Sequence, residues 1–182
     1  MDLMDITDVA REPMSNPVEI GVKVVKKKLE DEYSFISTEE AKYGDVIFCC
    51  RCNSLYKHFG IYLGDGKVIH YVSLPGDSDM DHAVILETDM EAFSKGDTVY
   101  VMKFPKRRHV SSIICKYLMT EDYHLYSPEE TVLRAKSKLG QHGIRNGRYN
   151  LLENNCEHFA IWCKTGVMEC WQLRMYMDAL LP

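Results

Sequence analysis

The chain has 182 residues and a formal charge of −5, from 22 basic and 27 acidic side chains. Its 46% hydrophobic and 27% charged content is that of an ordinary globular domain and excludes a wholly disordered or fibrous chain. The acidic balance argues against a nucleic-acid binder, and no apolar run approaches the ~18 residues needed to cross a bilayer.

The N-terminus and the cysteines predict the compartment. Residues Met1 to Asp5 are acidic where a secretory signal would be basic, which argues against export. Seven unevenly spaced cysteines, without a secretory context, favour reduced thiols over a disulfide framework. We therefore expect a cytoplasmic protein.

Residues 1–37 are predicted to be an N-terminal extension that precedes a main domain at residues 38–182. The extension holds Pro13 and Pro17, and places the basic run Lys26–Lys28 beside the acidic run Glu30–Glu32. This pattern favours a solvated segment with one edge element. The lysine run could contact anionic lipid, but the neighbouring acids make it a weak patch.

A series of strands is predicted from residue 46 onward, from β-branched and aromatic runs bounded by turn residues. Gly64–Gly66 is a strong hairpin signal, and Ser94–Asp97 is the predicted turn before the last strand. The predicted strands are Val46–Cys50, His58–Leu63, Lys67–Val72, Ala83–Glu87 and Thr98–Phe104.

Two helices are predicted in the second half. Pro128, after Ser127, opens a helix that runs to Leu139 and is ended by Gly140. Its apolar positions on helical spacing are Val132, Leu133, Ala135 and Leu139.

The second helix is predicted to begin near Cys156 and to end at Gly166, with Asn154 as its cap and Glu157 completing a capping box. Strands come first and helices mostly later. This order predicts an α+β fold in which an antiparallel sheet packs against helices.

The hairpin register predicts that two histidines share one face of the sheet. A three-residue loop with Gly66 in the left-handed conformation pairs Leu63 with Lys67 and places Gly60 opposite His70. His58 and His70 then lie diagonally on the same face, and the missing side chain at Gly60 leaves room to approach both rings. A two-residue loop would place the histidines on opposite faces.

Cys156 lies in the first turn of a predicted helix, where unpaired amides and the helix dipole should lower the pKa of its thiol. A thiolate beside an imidazole is the arrangement of a cysteine nucleophile and its base, and a second imidazole can hold the first in the right tautomer. The competing interpretation is a structural cysteine and two strand histidines with satisfied hydrogen bonds.

A zinc site is a further alternative, because Cys49, Cys50, Cys52 and His58 lie close together in the sequence. No second CxxC or HxxxH pair completes a tetrahedral set of ligands. Buried free thiols are the favoured interpretation, and neither a metal nor an organic cofactor is predicted.

Two segments resemble the conserved boxes of the lecithin retinol acyltransferase-like family. Residues 58–70, HFGIYLGDGKVIH, are similar to the histidine box, and residues 154–159, NNCEHF, are similar to the cysteine box. The helix from Pro128 and the approach through Tyr149 are also similar, so the resemblance covers about residues 40–167.

The resemblance implies a permuted papain-like fold of the NlpC type. It also implies that His58 is the base, that His70 orients it and that Cys156 is the nucleophile. The family includes phospholipase A and acyltransferase enzymes (HRAS-like suppressors), which move an acyl chain from phosphatidylcholine to water, an amine or a lysophospholipid. It also includes the retinol-esterifying enzyme.

We therefore predict a cytoplasmic thiol acyltransferase or phospholipase A that acts on glycerophospholipids through an acyl-thioester. The acceptor would be water, an amine, as in N-acylation of phosphatidylethanolamine, or another lipid. The alternatives are a thiol amidase or peptidase and a non-catalytic scaffold. Tyr149 could donate to the oxyanion or simply pack.

Membrane access is a separate question, because many members of the family end in a hydrophobic anchor. Residues 167–181 are mostly apolar and predict either a core helix or a peripheral membrane contact, the latter aided by Lys106, Arg107 and Arg108. The sequence indicates no oligomeric state.

Overall fold

A computed structural model describes residues 36–37, 40–51, 56–73, 79–104, 124–144, 147–150, 152–168 and 170. The predictions for residues 1–35, for Cys52, for the basic cluster Lys106–Arg108 and for residues 171–181 lie outside the described residues. The boundary between extension and main domain stays a prediction.

Six antiparallel strands of the described ranges form the sheet; numbered in chain order, they lie in the order β1-β6-β2-β3-β4-β5. A short 3₁₀ helix at Met80–His82 precedes β5. The strands are β1 (Ile36–Ser37), β2 (Val46–Arg51), β3 (Tyr56–Gly64), β4 (Lys67–Val72), β5 (Val84–Asp89) and β6 (Val99–Met102).

Within the described residues, three α-helices accompany the sheet: α1 (Met90–Ser94), α2 (Pro128–Lys136) and α3 (Cys156–Thr165). An antiparallel sheet with helices confirms the predicted α+β class. Helix α1 was not predicted, because five residues are too short to show a helical period. Its signals are local: the Asp89 side chain caps it by accepting from the Ala92 amide, and Lys95 ends it in the left-handed conformation.

The predicted pairing of Gly60 with His70 in the hairpin is confirmed. Gly66 adopts the left-handed conformation, with φ 70°. The turn differs in detail. Gly64, and not Leu63, pairs with Lys67, because the register shifts between residues 62 and 64 and Leu63 is the extra residue.

Helix α2 begins as predicted, with Ser127 and Glu130 forming a capping box. It ends earlier than predicted, at Lys136. Of the apolar positions on helical spacing, Val132 and Ala135 are buried, whereas Leu133 is 70% exposed and Leu139 is 41% exposed. After the helix, the backbone of residues 140 and 141 hydrogen-bonds with Ile85 of β5.

Both faces of the sheet are buried. Along β2, Val46 and Phe48 belong to one core cluster, which includes Phe159 and Ile161 of α3, while Ile47 and Cys49 belong to another. The second cluster is closed by Phe93 of α1 and by Val68 and Val101. This alternation follows from the two-residue period of a strand.

A further test concerns bilayer crossing. Within the parts of the chain that the structure describes, no helix has both the length and the apolar content that a membrane span needs.

Candidate active site

Cys156 is the first residue of α3 and is 1% exposed. It lies against one end of β3. The β3–β4 pairing runs from Gly60 to Gly64, and the Sγ atom lies beyond it, against the backbone of residues 57–59. The thiol donates to the Lys57 carbonyl oxygen at 3.8 Å, and the Phe59 amide donates to the sulfur.

Asn155 caps α3, which corrects the prediction of Asn154. The Asn155 Oδ1 atom accepts from the amides of Glu157 and His158 at 2.9 and 3.0 Å. The two adjacent asparagines are both good capping residues, and the backbone placed Asn155 directly before the helix. The cap occupies two of the helix-start amides that would otherwise be available to an oxyanion.

Asn154 has a different role, in holding the loop before the helix. Its Nδ2 atom donates to the carbonyl oxygens of Gly147 and Arg148 at 2.9 and 3.1 Å. These bonds hold the loop that carries Tyr149 against the start of α3.

The beginning of α3 is also held by a contact that the sequence did not suggest. Glu157 is completely buried, and its Oε2 atom accepts from the thiol of Cys170 at 3.0 Å. Asn155 Nδ2 donates to the same sulfur at 3.3 Å.

The charge of Glu157 also acts on Lys57. Burial lowers the pKa of Lys57 to about 7, and the charge of Glu157 acts in the opposite direction.

The two predicted histidines are in contact, as the register required. His58 Nε2 and His70 Nδ1 are 2.7 Å apart, and both rings are buried. The predicted room above Gly60 is filled by protein. A Cβ atom at that position would lie 2.7 Å from Val68 Cγ1 and 3.0 Å from Phe93 Cε2, and the Phe93 ring centroid is 5.3 Å from each imidazole.

The sequence did not indicate the role of Thr88, on β5. Its Oγ1 atom lies 2.9 Å from His70 Nε2, and its hydroxyl donates to the Asp89 carbonyl oxygen at 3.0 Å. A hydroxyl has one proton, so the proton in the contact with His70 comes from the imidazole. The second histidine is therefore itself oriented.

Two tyrosines contact the Cys156 sulfur, and one of them, Tyr56, also contacts His58. The Tyr56 hydroxyl is 2.9 Å from His58 Nδ1 and 4.0 Å from Cys156 Sγ, and the Tyr149 hydroxyl donates to Sγ at 3.7 Å. Among the described residues, Cys156 and His58 make no direct hydrogen bond. Tyr149 was considered from the sequence, whereas Tyr56 was missed because it lies two residues ahead of the histidine box.

Burial sets the protonation states of the site. It raises the pKa of the Cys156 thiol, with a smaller contribution from the charge of Glu157, so the predicted lowering is wrong for this resting structure. Burial also lowers the pKa of His58 well below 6.5, and His70 and Arg51 act in the same direction. The resting pair is a neutral thiol and a neutral imidazole.

A cleft opens beside these groups. An ion pair between Arg148 and Asp81 ties the loop that carries Tyr149 to the 3₁₀ helix. Cys156 is buried and does not line the cleft, but Tyr56 and Tyr149, which do, both contact its sulfur. The lining residues are Tyr56, His58, Tyr71, Val72, Ser73, Asp79, Met80, Ala83 and Tyr149.

Neither Cys49 nor Cys50 of β2 is part of a disulfide. Cys49 is buried, its Sγ donates to the Phe93 carbonyl oxygen at 3.7 Å, and burial raises its pKa to about 12. Cys50 is half-buried. Over the described ranges, no group of three or more histidine, cysteine or acidic side chains is arranged to hold a metal ion.

Comparison with known proteins places this site in a family context. The family model described as lecithin retinol acyltransferase matches residues 39–169. Phospholipase A and acyltransferase 4 of Homo sapiens is 28% identical over 144 residues, which are 74% of this chain and 76% of that protein.

Two further relatives are longer than the matched region. Lecithin retinol acyltransferase of Rattus norvegicus is 29% identical over 140 residues, covering 68% of this chain and 54% of that protein. LEAD-SENSITIVE 1 of Arabidopsis thaliana is 27% identical over 161 residues, covering 73% and 61%. The chain thus spans little more than half the length of these two proteins. With the matched model covering more than half of the sequence, and both boxes inside it, the chain belongs to the lecithin retinol acyltransferase family.

Proposed function

We propose that this protein is a cysteine-dependent acyltransferase and phospholipase A that takes an acyl chain from a glycerophospholipid. Cys156 is the nucleophile, His58 is the base and His70 holds His58 in position. The acceptor is water, an amine such as that of phosphatidylethanolamine, or another lipid. The names of the relatives, phospholipase A and acyltransferase 4 and lecithin retinol acyltransferase, support this class of reaction.

The observation that carries the proposal is the continuous hydrogen-bonded row at the cleft. Cys156 Sγ, the Tyr56 hydroxyl, His58 and His70 follow one another with separations of 4.0, 2.9 and 2.7 Å. A buried neutral imidazole in such a row is a competent general base, because it holds no proton that must leave first.

The reaction proceeds in two steps. As the Cys156 sulfur attacks the ester carbonyl, its proton passes to His58 and the carbonyl π electrons move to oxygen. The tetrahedral intermediate collapses to a thioester, and the leaving alkoxide takes the proton from His58, which releases the lysolipid. His58 then takes a proton from water or an acceptor amine, which attacks the thioester and regenerates the thiol.

The developing oxyanion needs donors that the resting structure leaves accessible. Asn155 occupies the amides of Glu157 and His158, so these are poor candidates. The Tyr149 hydroxyl already donates to Cys156 Sγ at 3.7 Å and lines the cleft. We assign Tyr149 the role of hydrogen-bond donor to the oxyanion. A small rotation of its hydroxyl moves the proton from the sulfur to the oxygen bonded to the attacked carbon.

The proposed partner is a phospholipid surface, met without a spanning segment in the described residues. The proposed location is the cytoplasm, with a peripheral membrane contact. The acidic net charge implies that any attraction to anionic lipid is weak, because a polybasic patch is what normally supplies it.

An intact-mass experiment tests the proposal. The full chain is incubated with vesicles of phosphatidylcholine labelled in one acyl chain, and mass spectrometry follows the acyl adduct while lipid analysis follows lysolipid release. We expect one adduct, mapped to Cys156 and lost in Cys156→Ala. The matched control is Cys163→Ala, which removes an equally buried thiol from the same helix and should keep both signals.

The same experiment distinguishes the alternatives. Absence of both adduct and lysolipid, in vesicles, micelles and detergent alike, contradicts the proposal and favours a scaffold. Adduct formation with an amide substrate in preference to the phospholipid identifies a thiol amidase instead.

A further inference from the structure

The thiol and the imidazole of this site are separated by a phenol. In the described residues, Cys156 and His58 make no direct hydrogen bond, whereas the Tyr56 hydroxyl contacts both, at 4.0 Å from Sγ and 2.9 Å from Nδ1. A base that takes the thiol proton must therefore either receive it through Tyr56 or wait until this side chain moves away.

The direction of the hydrogen bonds follows from the far end of the row. Thr88 gives its proton to the Asp89 carbonyl, so it accepts from His70 Nε2–H. In a neutral imidazole the other nitrogen is then an acceptor, so His70 Nδ1 accepts from His58 Nε2–H across 2.7 Å. By the same rule, His58 Nδ1 is an acceptor.

This polarity decides what Tyr56 does. His58 Nδ1 accepts the Tyr56 proton, which leaves the phenol oxygen with lone pairs facing the thiol. Tyr56 also contacts the Tyr149 hydroxyl, but an imidazole nitrogen is a stronger acceptor than a phenol oxygen. When the thiol turns from the Lys57 carbonyl to Tyr56, the row reads S–H to Oη, O–H to Nδ1, N–H to Nδ1 and N–H to Oγ1.

We propose that Tyr56 is a catalytic residue that relays the thiol proton of Cys156 to His58, a role that rests on the proposed function. As sulfur attacks the carbonyl carbon, the S–H proton moves to Tyr56 Oη and the Tyr56 proton moves to His58 Nδ1. One S–H and one O–H bond break, one O–H and one N–H bond form, and Tyr56 ends as a neutral phenol.

A second acceptor competes with Tyr56 for the thiol proton of Cys156. The thiol proton also has the Lys57 carbonyl oxygen within 3.8 Å, but a carbonyl leads to no base. Rotation of the S–H bond from Lys57 to Tyr56 connects the thiol to His58. Because the resting thiol and imidazole are both neutral, this transfer has to occur during the attack and not before it.

Alkylation of Cys156 by iodoacetamide tests the relay without a lipid. The rate at Cys156 is followed by peptide mapping from pH 6 to pH 10 in the full chain and in Tyr56→Phe. We expect the variant to react about 100-fold more slowly at pH 7, since general-base assistance is typically worth 10²–10⁴. The difference should narrow toward pH 10, where hydroxide removes the proton directly. An unchanged or faster rate of alkylation at pH 7 overturns the relay and means that Tyr56 only shields the thiol from the reagent.

Two other tyrosines supply controls. Tyr62→Phe removes a hydroxyl from the opposite end of β3, where it accepts from the Gly66 amide at 3.2 Å, and should leave the alkylation rate unchanged. Tyr149→Phe should slow acyl transfer more than alkylation, because displacement of iodide forms no oxyanion.

A measurement on the unmodified chain covers the case in which Tyr56→Phe does not fold. In mixtures of H₂O and D₂O, the alkylation rate at pH 7 should vary non-linearly with the deuterium fraction, because two protons move together. A linear dependence overturns the relay. If the chain forms no acyl adduct but alkylation still depends on Tyr56, then the proposed function fails and the relay stands.

Discussion

The two ends of β3 are built differently. From Gly60 to Gly64 the strand is paired with β4, and at Gly60 and Ile61 it is paired with β2 as well. From Tyr56 to Phe59, the described pairing is with β2, and the first turn of α3 lies against the other edge. The paired end forms the hairpin with β4. The open end carries the phenol of Tyr56 and the imidazole of His58, and the Cys156 sulfur of α3 lies against it.

The difference shows how a sheet can expose backbone polar groups to a reactive side chain. In a paired strand, the Phe59 amide and the Lys57 carbonyl would be engaged by a neighbouring strand. Here both are directed at Cys156 Sγ, which occupies the place where that pairing has stopped. The site is therefore located by the point at which β3 and β4 separate.

The largest effect is expected from removing the base at the open end. His58→Gln should lower the rate of acyl-adduct formation by about 10³-fold, because an amide of similar size cannot accept the thiol proton. The matched change at the paired end is Lys67→Gln, at the exposed first position of β4, which should keep the full rate. Equal losses in the two variants would contradict the comparison of the two ends.

Gly60, at the boundary between the two ends of β3, should tolerate no side chain. Gly60→Ala places a Cβ atom against Val68 and Phe93, and we expect a loss of about 1–3 kcal/mol in the free energy of unfolding. Urea denaturation measures it. Gly147→Ala, where an added Cβ meets nothing within 4 Å, is the control. A Gly60→Ala chain as stable as this control would show that Phe93 is not tightly packed on the histidines.

Acidification should weaken the fold through His58. Burial lowers its pKa well below 6.5, so below that pH the unfolded chain binds a proton that the native chain does not. This contribution to the free energy of unfolding is complete above pH 6.5 and is lost as the pH falls, by up to about 1.4 kcal/mol per pH unit. Urea denaturation at pH 7.5 and pH 5.5 should show a smaller decrease in His58→Gln than in the unmodified chain, and parallel decreases would contradict it.

The smallest effect is expected from removing helix N-caps. Comparing two of them distinguishes an effect on stability from an effect on the reactivity of Cys156. Asn155→Ala and Ser127→Ala each remove an N-cap, from α3 and from α2, and each should cost about 1 kcal/mol. In addition, Asn155→Ala should slow the alkylation of Cys156, because this cap positions the first turn of α3. If Ser127→Ala slows alkylation equally, then general loosening and not local positioning explains the effect.

The hairpin register shows how far sequence reasoning reaches. Alternating apolar residues around two glycines were enough to predict that Gly60 faces His70, because strand periodicity and turn geometry act over a few residues. The same reasoning misplaced Leu63 by one position at the turn, since a bulge depends on how the strands continue and not on the turn residues alone.

The cysteine end was less predictable. Helix position suggested a lowered thiol pKa, but burial of the whole side chain opposes and outweighs the helix dipole. Whether a thiol is covered depends on segments distant in sequence, here the first residue of β3, Tyr56, and the loop that carries Tyr149. The cap was likewise chosen between Asn154 and Asn155 by the path of the preceding loop.

The sequence by itself determined the α+β class and the pairing of Gly60 with His70, and it proposed Cys156, His58 and His70 as the site residues, because these follow from local periodicity and from two compact motifs. The tertiary structure decided what lies between the thiol and the imidazole. Tyr56 and Cys156 are 100 residues apart in the chain, and Thr88 reaches His70 from a different strand. Contacts of this kind leave no periodic trace in the sequence, since they depend on where β3 stops pairing with β4.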